Sequence, residues 1–526
     1  MGKKYLEFKT IKVLIERTNP RRGELFRLGM ALLFIIAIMF VCYTKFAIYQ
    51  NGTILVIAAM IGGYMGLNIG ANDVANNVGP AVGSKAISLT GAILIAAICE
   101  ASGALVAGGD VVSTIKKEII DSSLITDANT FIWIMMSALL AAAIWLNLAT
   151  AIGAPVSTTH SIVGGVLGAG VAAAGWGIAN WPQVGAIIAS WVISPIMGGI
   201  IAAAFLLLIK KRIIYQSDMV KSARVLVPIL ISAMVWAFVT YLILKGLNKI
   251  WQIDILSATV IGFVFALAIY FIVKQIILHT SKKMGQDRER INKLFTIPLV
   301  FAAALLSFAH GANDVANAVG PLAAINDAVI HGGVVTKAEI PLWVMMVGAI
   351  GIVMGLALYG PKLIHTVGSE ITKLDKIRAF CVAMAAAVTV ILASQLGLPV
   401  SSTHIAVGGV FGVGFLREYL EANQSQALDE IRNHYIEEKD DEVGKFLDEF
   451  NESDFYHKGQ LLMDLKKKLG TKLYKKDKKK LRKVYRTELV KRSILVKIVA
   501  AWLVTVPSSG GLAAVLYFIL HIIFLK

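Results

Sequence analysis

The stretch Gly70–Pro80, GANDVANNVGP, lies inside an apolar run long enough to cross a membrane. It returns at Gly311–Pro321 as GANDVANAVGP, identical at ten of eleven positions. An acid at membrane depth costs roughly 3 kcal/mol on insertion scales unless it is paired, hydrated or bound to a cation. Each copy sets its acid among amides: Asp73 between Asn72 and Asn76, Asp314 between Asn313 and Asn317. Gly70 and Pro80, with Gly311 and Pro321, are natural places for a helix to break. A broken helix exposes carbonyl oxygens that, with carboxylate and amide oxygens, suit a hard cation such as Na+. A helix-packing motif accounts for the small residues but leaves two equivalently placed aspartates without a purpose. Asp73, Asn76, Asp314 and Asn317 are therefore the candidate cation ligands, with Asn72 and Asn313 as secondary candidates.

The rest of the chain fits that setting. Of 526 residues, 57% are hydrophobic and 16% charged, with a mean hydropathy of +0.71. A soluble protein of this length would need more charge on its surface. Apolar windows of membrane-spanning length recur from end to end, so the chain reads as an all-α polytopic membrane protein of about 12–13 membrane segments. The net charge of +17 sits largely in segments flanking helices, where Lys and Arg mark the cytoplasmic side and meet anionic lipid rather than nucleic acid. Cys42, Cys99 and Cys381 stand singly in apolar runs, which indicates neither disulfides nor a zinc site.

Thirteen candidate crossings start near Leu28, Thr53, Ala86, Thr130, Pro155, Gln183, Arg224, Asp254, Leu294, Pro341, Ile377, Pro399 and Ile494. The Gly-rich Pro155 and Pro399 windows also suit re-entrant hairpins. Taking every window as a full crossing puts all the basic loops on one side, with the amino terminus cytoplasmic and the carboxyl terminus external. The Leu28 window follows a basic head with no small-residue cleavage motif and reads as a retained helix.

Two further pairs of segments repeat in the same order. GAPVSTTHSIVGGVLGAG from Gly153 matches GLPVSSTHIAVGGVFGVG from Gly397 at twelve of eighteen positions, and ASWVISPIMGGIIAA from Ala189 resembles AAWLVTVPSSGGLAA from Ala500. The expected organisation is a basic head with an extra helix over 1–52 and a first repeat over 53–210. Linking helices over 211–293 follow, then the first part of the second repeat over 294–416. A charged cytoplasmic insert with short helices occupies 417–493, and a helix over 494–526 completes the second repeat. Seven windows separate the starts of the two repeats, an odd number, so the second enters the membrane from the opposite side. Inverted-topology repeats of this kind, with broken helices or re-entrant hairpins, place a transporter's site where the repeats meet.

PVSTTH and PVSSTH carry the second half of the chemistry. Pro followed by Ser and Thr is a helix-start pattern, with hydroxyls capping free N–H groups. A helix N-terminus at membrane depth is an anion site. Two of them facing across a pseudo-twofold axis would set Ser157, Thr158 and Thr159 against Ser401, Ser402 and Thr403, a cluster of small donors suited to a tetrahedral oxyanion. His160 and His404 follow these runs and either donate to the anion, carry a proton or hold the cap. The GxxxG spacings Gly164/Gly168 and Gly408/Gly412 permit tight helix contact. Glu100 is a further intramembrane acid with an apolar counterpart in the second half, and reads equally as a cation ligand or as a buried partner for a hydroxyl.

On the doubled GANDVAN and the doubled PVS(T/S)TH the sequence resembles the inorganic phosphate transporter (PiT) family, from about Thr53 to the C-terminal helix. The resemblance implies an inverted repeat, an anion site at the Ser/Thr hairpins and cation coupling through the two aspartates. It falls on Asp73, Asn76, Ser157, Thr158, Thr159, Asp314, Asn317, Ser401, Ser402 and Thr403. The added first helix and the insert after Arg417 depart from the family's pattern. The Asn of GAND resembles the sodium-driven branch, whereas proton-coupled relatives carry a nearby His (GFHD).

The expectation is therefore not an enzyme but a multi-pass carrier of the plasma (cell inner) membrane that imports inorganic phosphate by symport with Na+. Na+ acts as coupling ion, with no other cofactor. Proton-coupled phosphate, metal–phosphate or sulfate transport on the same fold is the alternative. Expected partners are phosphate, Na+ (or H+), membrane lipid and a homo-oligomeric copy, with no nucleic acid. A Ser–His–Asp hydrolase has no need of two copies of each motif. The chain has no GxxxxGK[ST] loop for ATP. A passive anion channel would differ in lacking concentrative uptake.

Overall fold

The computed structural model describes residues 20–49, 51–125, 127–151, 156–246, 251, 253–282, 287–331, 340–366, 374–437 and 493–524, together with Phe446, Glu449 and Leu461. The head over 1–19, most of the charged insert and its expected short helices lie outside the described residues. The described residues are almost entirely helical, and eleven helices are long and apolar enough to cross a membrane.

Helix α1 is Pro20–Phe46, α2 Gly52–Asn72, α3 Val74–Gly83, α4 Leu89–Ala107, α5 Gly109–Lys117, α6 Ala128–Ala151, α7 Thr158–Ala174 and α8 Trp181–Ile209. They continue with α9 Met219–Lys245, α10 Ile255–Ser281, α11 Arg288–Leu294, α12 Thr296–His331, α13 Leu342–Thr366, α14 Lys376–Gln395, α15 Ser402–Glu437 and α16 Ser493–Phe524. The bundle is apolar on its outside: Leu94, Ile98, Val192, Ile196, Phe263 and Ile522 all stand exposed, as lipid-facing side chains do. Polar side chains are drawn inward instead. Asp73, Asp314, Glu100, His310 and the hydroxyls of both PVS motifs are buried.

Contacts at the helix ends correct the count of full crossings. Ile120, just beyond α5, bridges Ala179, just beyond α7, with Asp121 N–H donating to Ile178 O at 2.7 Å and Asn180 N–H to Ile119 O at 3.1 Å. Helix α6 begins a few residues after that bridge, so α6 and α7 enter and leave by one face. The second hairpin mirrors the first from the other face. At the start of α14, Lys376 donates to the Thr296 hydroxyl at the start of α12 at 2.7 Å, and Ile377 N–H to Asn292 Oδ1 in α11 at 3.0 Å. Helix α15 runs alongside α8 in the same direction, with Gly408 against Pro195 and Gly412 against Gly199, which carries Arg417 toward Lys210 at the end of α8 and that same basic face. The four windows starting near Thr130, Pro155, Ile377 and Pro399 are therefore two re-entrant hairpins. Apolar length alone could not reveal this, because a hairpin arm and a crossing bury similar side chains.

The inversion survives the correction, since removing one hairpin from the seven windows between the repeat starts leaves an odd number. Phe46, at the end of α1, packs at a tilt against Trp343 at the start of α13 with ring centroids 4.8 Å apart. That contact fixes the start of α2 on the face opposite the start of α12. The first motif is broken at Asp73, between α2 and α3, whereas the second runs unbroken within α12. Pro80 and Pro321 both sit inside helices. Lacking N–H groups, they release the carbonyls four residues earlier, those of Asn76 and Asn317.

The halves also exchange partners. Helix α2 packs on α13 and α12 on α4, while α7 packs on α16 and α15 on α8. Gly168 lies against the backbone of Gly510, and Gly412 against that of Gly199, so the GxxxG glycines are the contact points of these seams. Gly412→Ala forces α15 and α8 apart, at a cost of about 1–3 kcal/mol. Its thermal unfolding midpoint in detergent should fall, with Gly511→Ala, which meets open space, as the unaffected control.

Candidate functional site

The tips of the two hairpins and the two motif helices converge at the centre of the bundle. Ser157 and Ser401 are the caps of α7 and α15: their hydroxyls accept the N–H groups of His160 and His404 at 3.2 and 3.3 Å. Each helix thus starts one residue after its serine, and Pro399 lies ahead of the first turn rather than in it, its carbonyl accepting Trp191 Nε1–H at 3.0 Å. Pro155 lies outside the described residues.

Asp73 is the junction of the site. Thr158 donates to one carboxylate oxygen at 2.8 Å and Thr403 to the other at 3.2 Å, so a first-repeat carboxylate holds the helix starts of both hairpins. Asn76 donates to the Thr403 hydroxyl at 2.8 Å. Across the axis Asn317 donates to the hydroxyls of Thr158 and Thr159, both at 3.1 Å. Ser402 reaches Asp314 Oδ2 at 3.5 Å, and Thr159 donates to Val400 O at 3.0 Å. Asn72 and Asn313 support the hairpins: Asn72 donates to Val156 O, and Asn313 donates to Ser394 Oγ and Leu398 O and accepts the Val400 N–H. His160 packs its ring on Trp191 and meets His404 edge-on, with centroids 4.7 Å apart.

Every candidate ligand singled out from the sequence is brought to this centre, where the acids of the GANDVAN motifs and the hydroxyls of the PVS motifs form one network. Hydroxyls and carboxylates bond directly to one another. One ligand atom each from Asp73, His310 and Asp314 lie within 4.8 Å of one another, a cluster able to take a cation. Asp314 Oδ1 and Asn317 Oδ1 are buried without a hydrogen-bond partner, so donor atoms for such an ion are present and unspent.

Two residues here escaped the sequence reading. His310 sets Nδ1 2.6 Å from Glu100 Oε2 and Nε2 2.9 Å from Asp314 Oδ2, and Asn77 donates to Glu100 Oε1 at 2.9 Å. Glu100 therefore bonds an imidazole and an amide, not the hydroxyl considered for it. The signal was available: Asn77 is the single mismatch between the motif copies, and His310 precedes the second copy where Ile69 precedes the first.

The sequence pattern described as the phosphate transporter family matches residues 69–513, which takes in both motifs and both hairpins. The chain belongs to the phosphate transporter family. It is a multi-pass membrane carrier rather than an enzyme. This family member is 51% identical over 523 residues to a Helicobacter pylori protein named "Putative phosphate permease", covering 97% of this chain and 98% of that one. A Pyrococcus furiosus relative with the same description is 38% identical over 385 residues, covering 73% of this chain and 92% of its own. A solved structure named "The sodium-dependent phosphate transporter" superposes with a TM-score of 0.72 at 32% identity, over 90% of this chain and 100% of that one.

Proposed function

We propose that this transporter imports inorganic phosphate by symport with Na+. The observation that carries the reading is the sharing of Asp73 by Thr158 and Thr403, the leading hydroxyls of two opposed helix starts. A cation on the Asp73 oxygens competes with those hydroxyl protons. Once displaced, the hydroxyls turn to donate elsewhere, beside N–H groups of the first helical turn that no helix can bond internally. An anion with oxygens in several directions then finds donors from both repeats. The anion site is complete only when the cation is bound, and this makes transport coupled rather than leaky.

Asp73 and Asp314 hold Na+ with Asn76 and Asn317. Thr158, Thr159, Ser402 and Thr403 contact phosphate, with Ser157 and Ser401 holding the helix starts. Na+ binds only as coupling ion. The kinship with the sodium-dependent structure supports this coupling. The basic face, with Arg288, Arg378 and Arg417, is cytoplasmic, which puts the first helix's start inside and the last helix's end outside the plasma membrane. The test is labelled phosphate uptake into proteoliposomes under separate Na+ and pH gradients, with sulfate as competitor. Expected is Na+-driven concentrative uptake that sulfate does not inhibit. Uptake driven by pH alone moves the coupling to protons, and strong sulfate competition moves the substrate.

A further inference from the structure

The helix contacts around the site match between the two halves. Gly311 lies against the backbone of Glu100 as Gly70 lies against that of Ile352, and Gly103 against Phe308 as Gly355 against Leu67. These matched contacts fix the equivalences: Glu100 corresponds to Ile352, and by the offset of the motifs His310 corresponds to Ile69 and Asn77 to Ala318. Three positions that are apolar in one half are thus polar in the other. In space they join: Asn77 to Glu100, Glu100 to His310, and His310 onto Asp314. Glu100 and His310 are fully buried. Burying a carboxylate and an imidazole is unfavourable unless both are bonded, and here each is the other's partner.

These joined residues make the two aspartates unequal. Asp73 has each oxygen on a threonine hydroxyl that can rotate away. Asp314 has Oδ2 2.9 Å from His310 Nε2, a charge contact rather than an aligned hydrogen bond, on a ring whose far nitrogen is held by Glu100, while Oδ1 is left without a partner. A ring fixed by a second carboxylate keeps its orientation, as second-layer partners do at metal-binding histidines.

We infer that Asn77, Glu100 and His310 form a brace that positions Asp314 and thereby sets which monovalent cation the carrier accepts. The inference rests on the Na+ reading of the site. A carboxylate clamped on one side offers one oxygen at a fixed distance from Asp73. Discrimination among hard cations depends on cavity size, ligand number and rigidity, so Li+, being smaller, cannot draw the oxygens in. Glu100, His310 and Asn77 are positioning residues: they act through Asp314.

The test is phosphate uptake into proteoliposomes across Na+ and Li+ series, read as the ratio of the half-activating Li+ to Na+ concentrations. Glu100→Ala should lower this ratio at least fivefold. The triple variant Asn77→Ala, Glu100→Ile, His310→Ile gives each position its counterpart's residue, and should lower it as much. In both, the phosphate KM at saturating Na+ should move less than threefold. Glu100→Gln can donate to the imidazole and still accept from Asn77, so it should restore the ratio to within twofold of the parent. A merely misfolded fraction would lower maximal uptake and leave the ratio alone. An unchanged ratio in the alanine and triple variants overturns the brace, and so does a glutamine variant as impaired as the alanine. Parent protein indifferent to Na+ would instead defeat the symport reading itself.

Discussion

Asp73→Asn should reduce Na+-driven phosphate uptake by about 100-fold, equivalent to about 2.8 kcal/mol at 1.4 kcal/mol per decade. The substitution preserves shape and keeps one oxygen for the threonine hydroxyls, and its new amide can donate where the second oxygen accepted. Thr158 and Thr403 therefore stay near their places, and the folded protein should survive in detergent with an unfolding midpoint within a few degrees of the parent. What is lost is the charge. A neutral amide cannot draw Na+ from water or compete for it against two hydroxyls, so the step that frees those hydroxyls never occurs. The measurement is initial-rate uptake against Na+ concentration. A variant with parental Na+ activation would remove Asp73 from the cation site.

The second large effect lies away from the site. Lys116 in α5 and Asp327 in α12 form an ion pair with side chains only 3% exposed, joining the first repeat to the second. Neither charge can be hydrated if the other is removed, and breaking such a pair costs about 3–5 kcal/mol. Lys116→Met should therefore lower the unfolding midpoint sharply and reduce the amount of protein recovered from the membrane. Lys116→Met with Asp327→Leu should restore most of the loss, because two apolar side chains leave no charge behind. If the double variant were as unstable as the single one, the pair's geometry rather than its charge would be what holds the repeats together.

Much of this was legible in the residues, and the parts that were not share a cause. The doubled motifs announced inversion and a central site because an acid and a row of hydroxyls are costly at that depth. Likeness between the copies was the signal, so what differed drew no attention: His310 was passed over, and Asn77 read as one mismatch in eleven. Lys116 hid in TIKKE, which looks like ordinary basic sequence at a helix end; only the packing of α5 against α12 shows it buried. The capping role of Ser157 and Ser401 follows from the helix-start pattern, but the bonds from Thr158 and Thr403 to Asp73 do not. Side-chain spacing states which groups are near one another along the chain. Which of them bond depends on where the other repeat arrives.

The exchange of helices between the halves has a consequence for how the protein is made. The α7 face at Gly168 is closed by Gly510 of the last helix, 342 residues further along the chain. At about 5–20 residues per second, the ribosome leaves that surface uncovered for roughly 20 to 70 s. During that interval a helix with polar residues at its start must wait in the bilayer without its proper neighbour. The carboxyl-terminal helix is thus the last part needed to seal the first half, and a chain cut short before it loses more than its tail.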